Sequence, residues 1–138
     1  MAVNRPTILI LGFAVVYAVA ALSAQKPPGD AKAKALKNPV TADAASIAAG
    51  KDLYELNCEF CHGPKGLGDG SLAPSGTANL ADDEWKYGST DGEIFTLIKK
   101  GVPPDYEMPP AEETGLSDTE IWHLVNYVRS LGPKGLKR

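Results

Sequence analysis

Hydrophobic positions along the chain form one unbroken run near the amino terminus and three shorter periodic segments downstream. The long run, TILILGFAVVYAVAALSA, occupies positions 7–24 and contains no charged residue. In segments that begin near positions 42, 91 and 118, apolar residues recur at the three- and four-residue spacing of one helix face. This pattern predicts an all-α domain of about three to five helices, preceded by an amino-terminal hydrophobic helix.

The amino-terminal run fits two kinds of segment. Its uncharged span, 6–25, is long enough to cross a bilayer core of roughly 30 Å. Small residues near Ala20 and at Ala24 also offer the cleavage site of a signal peptide. Lys26 and the lysines after it outnumber Arg5, so the charges do not decide the orientation. We favour a retained membrane anchor over a cleaved signal peptide, and both place the rest of the chain outside the cytoplasm.

The segment after this run, QKPPGDAKAKALKNPV, mixes proline, lysine and alanine without an apolar stripe. Such a composition is typical of a tether. A short exposed helix over Ala31–Lys37 is the alternative. The resulting domain assignment is an anchor or signal peptide at 1–24, a tether at 25–45, the folded domain at 46–133 and a basic tail at 134–138.

The first periodic segment predicts a helix from about Ala42 to Asn57, with Thr41 or Ser46 as its N-cap. Gly50 lies on its apolar face, although a glycine inside a helix costs about 1 kcal/mol relative to alanine. Close passage of another helix would explain Gly50. An ordinary tolerated glycine is the alternative.

Two capping boxes mark the starts of the other helices. TDGE at 90–93 predicts a helix from Asp91 to about Lys100, which Gly101 ends. SDTE at 117–120 predicts a last helix that stops at Gly132. Its apolar stripe consists of Ile121, Leu124, Val125, Val128 and Leu131.

Both cysteines of the chain lie in the five residues CEFCH at 58–62. Two thiols separated by two residues lie on one side of a single turn, and the adjacent imidazole of His62 is available as an axial ligand. C-x-x-C-H is the sequence signature of covalent c-type haem attachment through Cys58 and Cys61. A structural zinc site would need four ligands, and only His123 offers a fourth, at a poor spacing. A redox dithiol would need a βαβ setting. We interpret His123 as a surface histidine.

The segment after His62 is glycine-rich, but it lacks the ending of a phosphate-binding loop. We interpret it as a flexible loop near the haem edge. Pro74 follows twelve residues after His62, and a carbonyl from that region would accept the Nδ1 proton and orient the imidazole. A turn proline without this contact is the alternative.

Met108 is the only methionine besides Met1, and it lies in the extended, proline-bounded sequence YEMPP. Its thioether is the candidate ligand on the opposite side of the iron from His62, and His/Met ligation raises the reduction potential. Trp85 and Tyr87 precede the second helix. Their ring N–H and O–H groups are candidate donors to the haem propionates, with plain packing as the alternative.

Charge and composition limit the function further. The formal net charge is −3, and it becomes −4 without Arg5, the only charged residue before position 26. No basic patch is available for nucleic acid, so that class of function is excluded. With 11 prolines and 14 glycines the domain is loop-rich, so a large planar cofactor would supply much of its core.

Together, the CEFCH motif, Met108 and the flanking helices resemble the class I cytochromes c, especially the small monohaem bacterial group. The resemblance covers about 46–133. In that family a glycine and an aromatic residue of the first helix cross a Leu-x-x-aromatic of the last helix. The matching positions are Gly50, Tyr54, Leu124 and Tyr127.

The resemblance implies a small class I cytochrome c fold round one haem c, with the Pro74 carbonyl meeting His62. Two departures stand out: the stretch from His62 to Met108 is shorter than in mitochondrial cytochromes c, and it contains no arginine. The bottom-edge loop is therefore expected to be trimmed, and the propionate partners must differ from the arginines of some relatives.

The expected function is one-electron transfer between redox protein partners outside the cytoplasm, with no small-molecule substrate and no enzyme activity of its own. A fixed haem subunit of a membrane oxidoreductase is the alternative. A haem peroxidase or gas-binding sensor with Met108 off the iron is a further rival. A structural zinc module is the last.

Overall fold

A computed structural model describes residues 30–102 and 108–132. The predicted anchor, residues 103–107 and the basic tail lie outside these ranges. None of the helices in the described part is long and apolar enough to cross a membrane. The described residues contain no strand and form five α-helices: α1 (Ala31–Ala35), α2 (Ala44–Asn57), α3 (Glu59–His62), α4 (Asp91–Lys100) and α5 (Asp118–Leu131), with a 3-10 turn at Ala111–Glu113.

The crossing of α2 and α5 is the main packing contact of the fold. Gly50 lies at the crossing, and a Cβ placed there would be 2.1 Å from the carbonyl oxygen of His123 and 2.8 Å from Cβ of Tyr127. Only a glycine lets the two helices approach this closely. One turn later, the rings of Tyr54 and Tyr127 pack with their centroids 5.1 Å apart. The close-crossing explanation of Gly50 is confirmed.

The core lies between α2, α4 and α5. Its centre is made of fully buried side chains from α2 and α5, and the rings of Phe95 and Trp122 stack beside them with centroids 4.0 Å apart. Lys99 and Arg129 join α4 to α5 through ion pairs with Asp118 and Asp91, the first pair partly exposed and the second largely buried. The fully buried large side chains are Tyr54, Ile121, Leu124 and Val125.

Local hydrogen bonds fix the helix starts. Both predicted capping boxes are present, with Thr90 and Glu93 on α4 and Ser117 and Glu120 on α5. The N-cap predicted for α2 is wrong, because the carboxylate of Asp43 accepts from the backbone N–H of Ser46 at 2.8 Å. An aspartate side chain three residues before a free N–H competes successfully with the hydroxyl of Thr41.

Residues 30–40 pack on the domain, which corrects their interpretation as a tether. Helix α1 is shorter than the alternative helix predicted there, and Ala33 is only 3% exposed. The chain fits closely against α4, because a Cβ on Gly92 would be 2.1 Å from the carbonyl oxygen of Ala33. Asn38 adds a hydrogen bond to Asn126 on α5, at 2.9 Å. The segment is therefore held at both of its ends.

Candidate functional site

The junction of α2 and α3 places both thiols on one turn. Cys58 ends α2, and its backbone N–H donates to the carbonyl of Tyr54 at 2.8 Å. The Cys58 carbonyl then accepts from the N–H groups of Cys61, at 3.2 Å, and His62, at 2.9 Å. Both thiols are free and half-buried. The turn therefore presents two sulfurs and one imidazole within a few residues, as the sequence predicts.

The environment of the Cys58 thiol disfavours the thiolate form. Burial, together with the nearby Cys61, raises its pKa to about 12. A redox-active dithiol instead needs a thiolate whose pKa is lowered by a helix N-terminus or a positive neighbour. The environment therefore argues against a disulfide oxidoreductase.

The imidazole of His62 is oriented by a backbone carbonyl. Its Nδ1 donates to the carbonyl oxygen of Ala78 at 3.1 Å, which leaves the lone pair of Nε2 free for a metal. Burial lowers the pKa of His62, and this effect exceeds the opposing effect of the Ala78 hydrogen bond. The ring is therefore neutral at physiological pH, which is the form that binds a metal.

The carbonyl that the sequence assigned to this contact, Pro74, is elsewhere. It accepts from the backbone N–H of Thr77 at 3.1 Å and from the Thr77 hydroxyl at 2.8 Å, within a tight turn. The chain continues past this turn before it reaches the imidazole. The prediction of an orienting carbonyl in this region is thus correct in kind, but the residue is Ala78.

The glycine-rich loop is pinned to the thiol turn, although the sequence suggested a flexible loop. Gly68 donates to the carbonyl of His62 at 2.9 Å, and Gly70 donates to that of Cys61 at 3.1 Å. A Cβ on Gly70 would lie 2.3 Å from the carbonyl oxygen of Phe60, so the backbone approach requires glycine there. From the core side, the hydroxyl of Tyr54 donates to the carbonyl of Gly63 at 2.7 Å. These bonds fix the path of the loop round His62.

Met108 is half-buried and packs against the hydrophobic core. Its carbonyl accepts from the N–H of Val102 at 3.0 Å. A Cβ on Gly101 would be 2.4 Å from that same oxygen. The backbone at Met108 is therefore held against the end of α4, next to the core.

Two buried N–H donors near the start of α4 have no hydrogen-bond partner among the described residues. They are Nε1 of Trp85 and Nη1 of Arg129. The guanidinium of Arg129 lies 5.9 Å from the centroid of the Trp85 ring, so the two groups are neighbours. Unpaired buried donors are rare and call for an acceptor. The sequence predicted Trp85 as such a donor but gave no sign of Arg129. The two side chains become neighbours only in the folded chain.

The remaining candidates lie apart. Tyr87 lines an open cavity of about 330 Å³ between α1 and α4. Nδ1 of His123 is 2.8 Å from the hydroxyl of Ser46, so this half-buried side chain contacts α2. Across 30–102 and 108–132, no cluster of three or more His, Cys, Asp or Glu side chains is arranged to hold a metal ion. The zinc interpretation, which required His123 beside the two thiols, finds no support in these contacts.

Comparison with known proteins places the chain in a family. Residues 45–128 match the family model described as cytochrome c oxidase, cbb3-type, subunit III. The chain belongs to this family. The matched range contains the α2–α3 turn, the glycine-rich loop, α4 and most of α5, so it covers the candidate site except Arg129.

Curated relatives agree with the family assignment. The chain is 34% identical over 95 residues to the cbb3-type cytochrome c oxidase subunit CcoP of Rhodobacter capsulatus, covering 66% of this chain and 31% of that protein. It is 32% identical over 99 residues to subunit FixP of Azorhizobium caulinodans, covering 72% of this chain and 32% of that protein. The chain thus spans about a third of the length of these relatives.

Solved structures show the same fold. The structure is similar to a chain of the Kuenenia stuttgartiensis reducing HAO-like protein complex, with a TM-score of 0.62 and 28% identity over 71% of this chain and 50% of that one. It is also similar to cytochrome cL of Methylophaga aminisulfidivorans, with a TM-score of 0.53 and 32% identity over 69% of this chain and 57% of that one. The all-α cytochrome c fold predicted from the sequence is confirmed.

A c-type cytochrome domain of this family carries covalently bound haem c, and the residues present fit that group. Two free thiols share one turn with an imidazole whose Nε2 is available. Two buried donors without a partner suit a carboxylate such as a propionate. The donor set is therefore that of a haem c rather than of a bare metal ion.

Proposed function

We propose that this domain is a one-electron carrier that holds a single haem c through Cys58 and Cys61, with His62 and Met108 as the iron ligands. The observation that carries the proposal is the hydrogen bond from Nδ1 of His62 to Ala78. It leaves Nε2 available on the same turn that bears both free thiols. No other described imidazole has this setting, since His123 contacts Ser46.

When bound, the haem supplies an iron that cycles between Fe(III) and Fe(II). The protein's part is to fix two ligands, so that no coordination position stays open for a substrate. Ala78 keeps the His62 ring in one orientation, and the bonds from Gly68 and Gly70 hold the loop against the backbone of His62 and Cys61. The arrangement suits electron transfer and disfavours peroxidase or gas-binding chemistry.

Trp85 is the best-supported propionate partner. Its buried Nε1 lacks an acceptor, and the neighbouring Nη1 of Arg129 lacks one too. A carboxylate at this point would satisfy two donors, one of them charged, with bonds stronger than neutral ones. Tyr87 remains a second candidate, although it faces the cavity beside α1.

The domain acts as a fixed subunit of a membrane oxidase rather than as a free carrier. Its relatives are named as subunits of cbb3-type oxidases. The packing of α1 on α4 supports the same reading, because it removes residues 30–40 from the predicted tether. Positions 25–29 then join the proposed anchor to the domain, and five residues span at most about 18 Å. The domain would lie on the periplasmic side of the membrane, close to its redox partners.

Native purification from membranes tests this proposal. The chain should co-purify with an oxidase in mild detergent, and acid-acetone extraction should leave one haem attached to its polypeptide. A red monomer that is released from the membrane fraction without a partner protein would favour a free carrier. A colourless chain would contradict both forms of the proposal.

A further inference from the structure

The hydroxyl of Tyr54 joins the core to the residue that follows His62. Tyr54 is fully buried on α2, one turn before Cys58, and its ring packs on Tyr127 with the centroids 5.1 Å apart. Its hydroxyl donates to the carbonyl of Gly63 at 2.7 Å. A phenylalanine would fill the same space with no polar atom to satisfy, and a buried hydroxyl costs free energy unless it is hydrogen-bonded. Packing therefore explains the ring of Tyr54 but not its hydroxyl.

The carbonyl of Gly63 belongs to a closed path of hydrogen bonds around His62. It also accepts from the N–H of Gly66 at 3.1 Å, and the Gly66 carbonyl accepts from the N–H of Leu80 at 2.6 Å. Ala78, two residues before Leu80, accepts from Nδ1 of His62 at 3.1 Å. The path thus leaves His62 through Gly63 and returns to its imidazole through Ala78. We call this path the hydrogen-bond circuit.

Close backbone contacts limit the movement of the hydrogen-bond circuit. A Cβ on Gly66 would lie 2.9 Å from Cδ1 of Leu131, so the chain already touches the core there. A Cβ on Gly68 would lie 2.6 Å from the carbonyl oxygen of Thr77, so the two sides of the loop are also in contact. The loop therefore has no room to move inward, and the hydroxyl of Tyr54 opposes movement away from the core.

We propose that Tyr54 is a positioning residue for the axial ligand, because its hydroxyl fixes the circuit that keeps the Ala78 carbonyl on Nδ1 of His62. The inference rests on the proposed haem ligation by His62 and adds a residue that sets the strength of this ligand. A strong bond from Nδ1 makes the imidazole a more basic ligand, which favours Fe(III) over Fe(II) and lowers the reduction potential. Without the hydroxyl, the Gly63 carbonyl loses one of its two donors, the bond from His62 to Ala78 weakens and the potential rises.

The test compares Y54F with the wild type, both as the haem-loaded full-length protein. Phenylalanine keeps the ring that packs on Tyr127 and removes the donor. In a spectroelectrochemical titration, the equilibrium constant for reduction of Y54F by a fixed mediator should increase roughly twofold or more. In NMR spectra, the Nδ1 proton of His62 should exchange with deuterium oxide roughly fivefold faster or more.

The matched control is Y127F, because Tyr127 is the other ring of the same aromatic pair. In the described part of the chain, Gly63 accepts from the hydroxyl of Tyr54 and not from that of Tyr127. Y127F should therefore keep the wild-type potential and exchange rate. Equal shifts in Y54F and Y127F would show an effect of packing and would overturn the proposal. A wild-type value of either quantity in Y54F would overturn it as well.

A different donor at position 54 should restore the circuit. The substitution Tyr54→4-aminophenylalanine keeps the aromatic ring and places an N–H group where the hydroxyl donates to Gly63. Its exchange rate at Nδ1 of His62 should be close to that of the wild type. This variant also decides the question if Y54F does not fold, because a rate raised roughly fivefold despite the restored donor would overturn the proposal.

The Nδ1 proton of His62 separates this inference from the proposed function. A haem-loaded wild type whose NMR spectrum lacks a hyperfine-shifted signal from this proton would refute ligation by His62. A wild type that shows the signal, together with a Y54F protein of the same potential and exchange rate, would refute the role of Tyr54 alone.

Discussion

At the scale of single residues, the site depends on the orientation of the His62 ring and on the lack of a side chain at Gly50. The carbonyl of Ala78 sets the orientation of the His62 ring. Gly50 provides the space in which α2 and α5 meet. The Ala78 carbonyl acts on the cofactor side and Gly50 acts on the packing side, where a variant tests it.

Gly50→Ala should destabilise the protein, although alanine is the better helix former. The added methyl would lie 2.1 Å from the His123 carbonyl oxygen, which is backbone and cannot move cheaply. Overpacking of this kind typically costs 1–3 kcal/mol, more than the roughly 1 kcal/mol gained in helix propensity. Chemical denaturation of the haem-loaded protein measures the difference.

The control for Gly50→Ala is Gly76→Ala, where a Cβ meets nothing within 4 Å but φ is +88°. That change should cost about 1–2 kcal/mol from the backbone conformation alone, without any steric contact. A Gly50→Ala protein as stable as the wild type would show that the crossing is looser than described.

Trp85→Phe should change the acidity of a propionate while it keeps the aromatic packing. Loss of the indole N–H removes a donor to a charged acceptor, a bond worth about 1.5–3 kcal/mol, so the propionate pKa should rise by about one unit or more. The pH dependence of the reduction potential reports this pKa. Tyr87→Phe, made in parallel, should leave the profile nearly unchanged. The opposite ranking of the two variants would assign the contact to Tyr87.

At the scale of helices, the capping boxes are the most predictable part of the structure. Thr90 donates to Glu93 through both its backbone N–H and its hydroxyl. Burial alone would raise the pKa of Glu93, but these bonds outweigh it and lower the pKa. The Ser117 hydroxyl and backbone likewise lower the pKa of Glu120. Both carboxylates therefore favour folding in the ionised form.

The pH dependence of stability follows from these two shifts. A carboxyl whose folded pKa is lowered contributes its stabilisation above the unfolded pKa, about 4.3, and loses it as the pH falls through the folded pKa. The melting temperature should therefore decrease as the pH is lowered below about 4.5. The decrease should be less steep in E93Q/E120Q. Thermal melts from pH 6 to pH 3 measure both curves. Identical slopes would mean that these carboxylates carry no share of the acid sensitivity.

The sequence predicted the features that local patterns control, such as helix starts and turns. It did not predict the contacts between segments that are far apart in the chain. The starts of α4 and α5 followed from four-residue capping boxes, and the CEFCH turn followed from its spacing. The path from Pro74 to Ala78 depends on the hydrogen bonds of the loop to the thiol turn, which no local pattern shows. The pairing of Arg129 with Trp85 and the packing of Ala33 on Gly92 join segments far apart in the chain.

At the scale of the whole molecule, the amino-terminal segment is fastened to the domain at two points. Ala33 packs on Gly92, and Asn38 bonds to Asn126 at 2.9 Å. Asn126 also donates to the hydroxyl of Ser46 at 2.8 Å, so the same polar group ties this segment to α2 and α5. The fastening shortens the distance that the domain can travel from its proposed anchor.

Asn38→Ala should loosen this segment without disturbing the cofactor. It leaves the buried amide of Asn126 one partner short, at a cost of about 1–3 kcal/mol. Hydrogen exchange of the amides at 31–38 should speed up at least tenfold, while the spectrum stays unchanged. The exposed Lys37→Ala serves as the control and should exchange like the wild type. Equal protection in both variants would show that Asn38 does not hold the segment.

The proposed centre of the domain is a haem held covalently by two thioethers, with the nitrogen of His62 and the sulfur of Met108 as the iron ligands. The most direct measurement is the near-infrared absorption of the ferric protein, recorded for the wild type and for Met108→Ala. The wild type should show the weak band of sulfur ligation, and Met108→Ala should lose it, lower the potential and bind cyanide at once. A wild-type spectrum without that band, or a variant with the same spectrum as the wild type, would contradict the account.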